Sequence, residues 1–203
     1  MKAVVLLSGG LDSVVSMVLA KQQVEIVLAL TIDYGQKARS NEISASAAFC
    51  SLYGIEHKVI HLPFMSDMKS GIIEDSGIED SSPWVPNRNG LFINLAACYA
   101  ENLNADLVIC GFNREEGIDF PDNSAEYVEA INQGLTYSTL NQVKLKSFVQ
   151  NMDKIEIIKA ARALAIDFNL LWSCYRPGDK PCGQCPSCLR NNEAYEKAGI
   201  END

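Results

Sequence analysis

Ala3-Val4-Val5-Leu6-Leu7-Ser8-Gly9-Gly10-Leu11-Asp12-Ser13 sets an apolar run directly against a pair of glycines, after which a helical pattern begins at once. Residues 3–7 read as a buried strand. From Leu11 or Asp12 to about Gln22 the apolar stripe of Val14, Val15, Val18 and Leu19 reads as a helix. A strand that turns through glycines into a helix is an anion cradle. Gly9 and Gly10 let backbone N–H groups approach without Cβ obstruction, Ser8 and Ser13 offer hydroxyls, and the helix start adds its dipole. A Walker phosphate loop would carry Gly-Lys-Ser/Thr here, and no lysine is present. The Gly-x-Gly-x-x-Gly dinucleotide fingerprint is absent as well. Asp12 suits an anion site only if it caps the loop or holds Mg²⁺ against the phosphates. The plainer alternative is a strand–helix turn with Asp12 or Ser13 as N-cap.

Working outward, residues 24–31 read as a second strand, 38–53 as a helix ended by Gly54, and 57–61 as a short third strand. Alternating strands and helices predict an α/β protein with a mainly parallel sheet flanked by helices. Residues 62–83 break the rhythm with Pro, Gly, Ser and Asp. A polar turn at Pro86–Asn89 precedes a helix over 90–103, then a fourth strand over 106–110 ending at Gly111. Asp122 or Ser124 caps a helix expected to end near Gly134. A fifth strand is expected over 142–149, an amphipathic helix over 153–167, and a last short helix around 185–198. The expected organisation is a main domain over 1–168 and a C-terminal segment over 169–203 packed on it.

The 203 residues, 47% of them hydrophobic, suffice for one full-sized core. A net charge of −9 argues against a nucleic-acid binder, because phosphate-backbone recognition needs a basic surface. The longest apolar runs, about five to eight residues, are too short to span a membrane. The N-terminus carries one lysine and runs straight into a strand, with no signal-peptide pattern, so the expected location is cytoplasmic.

Of seven cysteines, Cys50, Cys98 and Cys110 stand alone and read as small buried hydrophobes. The other four crowd together as Cys174-x7-Cys182-x2-Cys185-x2-Cys188. Four thiolates at this spacing close a tetrahedral shell for zinc; an iron–sulfur cluster is the rival occupant. A shell made wholly of protein ligands is a structural site, since catalytic zinc keeps a position open.

These features together resemble the PP-loop ATP pyrophosphatases, which cleave ATP between the α and β phosphates and transfer AMP to an oxygen. Within that superfamily the chain resembles the 7-cyano-7-deazaguanine synthase (QueC) family. The likeness rests on Ser8-Gly9-Gly10-Leu11-Asp12-Ser13, Asp33-Tyr34-Gly35-Gln36, Val85-Pro86-Asn87-Arg88-Asn89, Gly111-Phe112-Asn113, and Trp172-Ser173-Cys174-Tyr175 leading into the cysteine cluster. It implies a five-stranded, Rossmann-like sheet of the adenine nucleotide alpha hydrolase type with a small C-terminal helical segment that binds zinc through four cysteines. It implies ATP, Mg²⁺ and one structural Zn²⁺ as cofactors, and 7-carboxy-7-deazaguanine and ammonia as substrates. The carboxylate would be adenylated and converted by ammonia to an amide; a second adenylation would then give the nitrile. A homodimer, with no nucleic-acid or membrane partner, is implied as well.

On this resemblance the ATP site takes Leu6, Leu7, Ser8, Gly9, Gly10, Leu11, Asp12, Ser13, Val14, Val15 and Ser16, with Thr31, Asp33 and Gly111. Asp12, Ser13 and Arg88 are the candidate catalytic residues, and Asn87, Arg88, Asn89, Asn113 and Phe120 the candidate substrate contacts. The Arg88 guanidinium can pair bidentately with a carboxylate or steady the α phosphate. The Asn87 and Asn89 amides suit a purine-like edge. Lys144, Lys146 and Arg114 are further candidates for pyrophosphate, and Trp84, Phe112 and Phe120 for sandwiching the ring; solvated charges and core aromatics are the plainer readings. Asp119-Phe120-Pro121-Asp122-Asn123-Ser124 departs from the family's Ser-Gly-Tyr-Pro-Asp-Cys-Arg element, keeping its Pro and Asp, which leaves a related 7-deazapurine open as acceptor. Another AMP-forming PP-loop ligase or tRNA-modifying enzyme, and a zinc-stabilised binding protein without catalysis, are the remaining alternatives.

Overall fold

The structure, a computed structural model, describes residues 1–73 and 83–200. Five parallel strands form one sheet in the order β3-β2-β1-β4-β5. They are β1 Lys2–Leu6, β2 Glu25–Asp33, β3 His57–His61, β4 Leu107–Cys110 and β5 Lys144–Ser147. The helices are α1 Leu11–Lys21, α2 Arg39–Tyr53, α3 Arg88–Asn102, α4 Arg114–Asp119, α5 Ala125–Ser138, α6 Lys154–Ala163 and α7 Pro186–Ala198.

β1 is central, and Ala3, Val4 and Val5 are fully buried. Their alternation separates two cores. Ala3 and Val5 face one side with Val14, Val15 and Met17 of α1, Phe49 of α2, and Ile157, Ile158 and Ala161 of α6. Ala194 and Tyr195 join that core, so α7 packs there too. Val4 faces the other side with Leu30, Val108, Ile93 and Ala97 of α3, and Leu135 of α5. Both faces are covered, which is why the inner strands β1, β2 and β4 read as largely apolar runs, whereas the edge strands β3 and β5 carry polar and charged residues.

The chain winds outward from β1 to β3, then crosses back to place β4 on the other side of β1. That reversal opens a crevice beyond the carboxyl ends of β1 and β4, where such sheets place their ligands. Gly111, after β4, closes up against the start of α1. A Cβ there would lie 2.6 Å from the Ser13 backbone nitrogen and 2.8 Å from its Cα.

Several boundaries differ from the sequence expectations. α1 starts at Leu11 with Gly10 as N-cap and no side-chain cap, so Asp12 and Ser13 lie inside the first turn. α3 starts at Arg88 rather than 90, because Asn87 takes the left-handed conformation at φ 51° and makes the turn alone. α5 runs through Gly134 to Ser138; a Cβ at Gly134 would meet nothing, so this glycine interrupts neither packing nor the helix. β5 is shorter than 142–149, with Gln142 at positive φ before it. α6 stops at Ala163, where Ala165 at φ 53° turns the chain. α4 has no counterpart in the sequence reading; the Asn113 side chain caps it. The irregular stretch 62–83 holds a 3₁₀ turn at Pro63–Asp67 and a bridge from Gln36 to Ile73, and its residues 74–82 lie outside the described residues. Cys50 and Cys110 are buried as expected, but Cys98 is exposed on the outer face of α3.

Candidate active site

A cavity of about 300 Å³ opens at the switch point, walled by the loop after β1, the ends of β2 and β4, the start of α3, α4, and the chain around Trp172–Tyr175. The sheet brings most of the expected residues to this wall: Leu6, Leu7, Ser8, Gly10, Leu11, Asp12, Ser13, Thr31, Arg88, Asn89, Gly111 and Phe120. Gly9, Val14, Val15, Ser16, Asp33, Asn87 and Asn113 are not on it. Each of these has another place in the structure.

Gly9 sits at φ 75°, and a Cβ would fall 2.6 Å from that of Ala45, so both conformation and space require glycine. Val14 and Val15 belong to the core. Ser16 Oγ donates to the Cys110 carbonyl at 2.6 Å, tying α1 to β4. Asp33 pairs with His61 at 3.0 Å and accepts from the Gly35 N–H. Asn87 forms the left-handed turn into α3. Asn113 is fully buried; its Oδ1 accepts from the Glu116 N–H at 2.9 Å, which sets Glu116 on the wall.

The loop is held mainly by its own hydroxyls. Ser13 Oγ donates to the Gly10 carbonyl at 3.0 Å and accepts from the Ser8 N–H at 3.3 Å, with Ser8 Oγ 3.1 Å away. Thr31 Oγ1 donates to the Leu7 carbonyl at 2.7 Å and lies 2.8 Å from His57 Nε2. The hydroxyl's one proton is thereby used, so His57 donates from Nε2, and burial lowers its pKa, keeping the ring neutral. From the far end of the chain, the Trp172 N–H donates to the Gly9 carbonyl at 2.9 Å, and Ser173 Oγ accepts from the Leu11 N–H at 3.4 Å.

The lysine missing from the loop is supplied by α6. Lys154 Nζ lies 2.6 Å from Asp12 Oδ2 and 3.7 Å from Glu116 Oε1, with its side chain only 6% exposed. Burial disfavours its charge, but Asp12 and Glu116 more than restore it, so its pKa is raised. Glu116 is pushed up by burial and by Asp12, and pulled back by Lys154 and by Arg190, whose Nη1 lies 3.4 Å away. Lys154 left one sequence signal: a cation at the first position of a helix opposes the helix dipole and needs an anionic partner. Glu116 and Arg190 left none.

Arg88 lies against Tyr34, donating to its hydroxyl at 3.3 Å. Burial works against the Arg88 charge, and Tyr34, Asp122 and Glu42 offset it, so the guanidinium stays cationic. Burial pushes the Tyr34 phenol up to about 12, against the pull of Arg88. Trp84 and Phe120 stand nearly parallel at the rim, 13° apart with centroids 6.3 Å apart. Phe112 is a buried wall residue. Arg114 is held outside the cavity by Asp153 and Glu156, and Lys144 and Lys146 are exposed on β5, Lys146 lying over Phe148.

One oxygen of Asp12, Oδ1, is buried without a hydrogen-bond partner among the described residues. A hard, anionic oxygen left in this way beside an anion cradle suits Mg²⁺. The four sulfurs of Cys174, Cys182, Cys185 and Cys188 all lie within 4.8 Å of one another. The Cys174–Cys185 and Cys182–Cys188 separations are both 3.9 Å. A tetrahedron of zinc–sulfur bonds has edges of about 3.8 Å, so the set fits one zinc. A four-iron cube would give each thiolate its own iron and spread the sulfurs further. Cys174 Sγ accepts from the Arg176 and Cys182 N–H groups, and Cys182 Sγ from those of Gln184 and Cys185, the polarity that thiolates need.

The sequence model of the queuosine biosynthesis protein QueC matches residues 2–199. A 7-cyano-7-deazaguanine synthase of Desulforudis audaxviator is 45% identical, covering 98% of each chain. One of Carboxydothermus hydrogenoformans is 48% identical over 95% of this chain and 97% of its own. Among solved structures, the U34-tRNA thiolase NcsA of Methanococcus maripaludis, with its [4Fe-4S] cluster, aligns at a TM-score of 0.57 and 18% identity, covering 97% of this chain and 64% of that one. The NMN synthetase of Francisella tularensis aligns at 0.55 and 16%, covering 99% of this chain and 78% of that one. At such identities these structures speak for the fold alone.

Proposed function

The chain belongs to the family of the queuosine biosynthesis protein QueC, and on that premise we propose that it converts 7-carboxy-7-deazaguanine and ammonia to 7-cyano-7-deazaguanine, spending ATP to AMP and pyrophosphate. The observation that carries the reading is one cavity joining an anion cradle, a buried lysine and a half-buried arginine, Arg88. The loop N–H groups and Lys154 receive the β and γ phosphates. Asp12 Oδ1 holds Mg²⁺, which when bound supplies positive charge against the departing pyrophosphate. Arg88 takes the substrate carboxylate in a two-pronged pair, Asn89 meets the heterocycle edge, and Trp84 with Phe120 offers flat surface to its ring.

A carboxylate is a poor electrophile until one oxygen becomes a good leaving group. In the first round that oxygen attacks the α phosphorus and pyrophosphate leaves. Ammonia then displaces AMP and gives the amide. In the second round the amide oxygen is adenylated, and AMP departs as the nitrogen loses its protons, leaving the nitrile. Ser13 and Thr31 serve by holding the loop rather than by touching the reacting atoms. The four-cysteine set holds Zn²⁺ and fixes the segment that carries Trp172, Ser173 and Arg190. The acidic balance supports a small-molecule substrate over nucleic acid. No helix among the described residues is long and apolar enough to cross a membrane. A cytoplasmic homodimer completes the reading.

The test is direct. Purified protein with 7-carboxy-7-deazaguanine, ATP, Mg²⁺ and ammonium is expected to release AMP and pyrophosphate and to form the nitrile. ADP as the product overturns the mechanism; AMP with a different acceptor changes the substrate only.

A further inference from the structure

Three cations on the cavity wall, Arg88, Lys154 and Arg190, answer anionic guests. Four carboxylates line it as well, from Asp12, Glu42, Glu116 and Asp122. Asp12 and Glu116 have cationic partners in Lys154 and Arg190. Glu42 has no cation within ion-pair distance among the described residues; Arg88 acts on it from farther off, and its side chain is held by an amide, with Gln36 Nε2 donating to Oε2 at 2.8 Å. Gln36 is itself locked, donating to the Ile32 carbonyl at 2.9 Å and accepting from the Tyr34 N–H at 2.9 Å, and it is 2% exposed. The structure therefore fixes a carboxylate, on the first turn of α2, with one oxygen free to face the cavity. The Glu42 backbone carbonyl lies against Gly9, so this carboxylate stands beside the phosphate loop.

We propose that Glu42 binds the ammonium ion and takes its proton, delivering free ammonia to the adenylated carbonyl. This deepens the reading above and rests on it. The chemistry demands such a group. Ammonia in neutral water is almost all ammonium, which has no lone pair with which to attack. Its nitrogen must shed every proton before a nitrile exists: one on leaving the ammonium state, one on forming the amide, two on forming the nitrile. With Glu42 the first step balances as ammonium plus carboxylate giving ammonia plus carboxylic acid. Ammonia then forms the C–N bond while the C–O bond to AMP breaks, and its surplus proton leaves with solvent. The groups around Glu42 suit it for this. Burial raises its pKa, the Gln36 donation and Arg88 hold it down, and Asp33 raises it again. Arg88 beside it holds the substrate carboxyl, so nucleophile and electrophile meet at one place.

The experiment separates activation from amination in the full-length protein with Glu42→Gln. Hydroxylamine, largely unprotonated at neutral pH, traps the acyl adenylate as a hydroxamate without a base. The variant is expected to lose amide and nitrile formation by about 10²–10⁴-fold, the usual worth of a positioned general base, while ATP–pyrophosphate exchange and hydroxamate formation fall far less. A rise in the KM for ammonium accompanies the loss. Equal loss of exchange, hydroxamate and amide overturns the proposal, as does the same selective loss in Asp122→Asn with Glu42→Gln unaffected. If the wild type itself shows no exchange with the deazapurine acid, the substrate reading fails rather than the role of Glu42.

Discussion

Replacing Lys154 with methionine tests whether the buried network beneath the loop is built as described. Lys154 Nζ is 2.6 Å from Asp12 Oδ2, with the two side chains 6% and 18% exposed. Methionine keeps the stem and removes the charge, leaving Asp12 without its cation and Glu116 with Arg190 alone. Breaking a buried pair costs about 3–5 kcal/mol. The lower end, about 3 kcal/mol, applies here because Glu116 can escape by taking a proton. For a chain of this size that is a fall of about 6–12 °C in Tm. The pH dependence carries the sharper signature. Lys154 has a raised folded pKa, so its contribution is complete below its unfolded value of about 10.4 and constant across the neutral range. Glu116 already has a raised pKa in the wild type. Without Lys154 to pull it back, its folded pKa moves further above the unfolded value of about 4.3. The folded variant then binds more protons than the unfolded chain, so its stability is greatest at low pH and falls as pH rises toward the folded pKa. Melts followed by circular dichroism from about pH 5 to about pH 8 should show a deficit that widens with pH. Adding Glu116→Gln should restore part of it at the upper end, a coupling a double-mutant cycle measures. A Lys154→Met protein that melts within about 2 °C of wild type near pH 8, or whose deficit does not change with pH, refutes the network.

Two further outcomes follow from the geometry. Elemental analysis should find about one zinc per chain, and Cys185→Ser should lose it together with about 2.7 kcal/mol or more of stability wherever free zinc exceeds its Kd a hundredfold; iron with visible absorption contradicts the single-ion site. Gly111→Ala drives a methyl to 2.6 Å from the Ser13 nitrogen, so α1 must shift away from β4, at a cost of about 1–3 kcal/mol and with weakened ATP binding by calorimetry; a variant that melts and binds like wild type removes that contact from the account.

The sheet and the loop were legible because their signals are local. Strand, glycine pair and helix lie within Ala3–Gln22, and the cysteines announce themselves by spacing. What stayed hidden was supplied across distance. Lys154 reaches Asp12 over 142 positions, and Arg190 comes from the helix that the cysteine knuckle begins. Asp33, in a recognisable motif, turned to His61 instead of the cavity, a choice that the β2–β3 register makes and no window of sequence contains. Asn113 matched a motif residue, yet its visible work is to cap α4, a helix too short to show periodicity.

The hydrogen bond from Trp172 to Gly9 also sets an order of assembly. A ribosome adds about 5–20 residues per second, so the partner of Gly9 emerges roughly ten to thirty seconds after the loop it holds. During that interval the nascent chain can form β1 and α1, while the strap over the loop is still unmade. A nucleotide arriving early meets an unfinished cradle, and a chain released short of the cysteine knuckle has the motif without the site. Synthesis through the cysteine knuckle is thus what arms the loop.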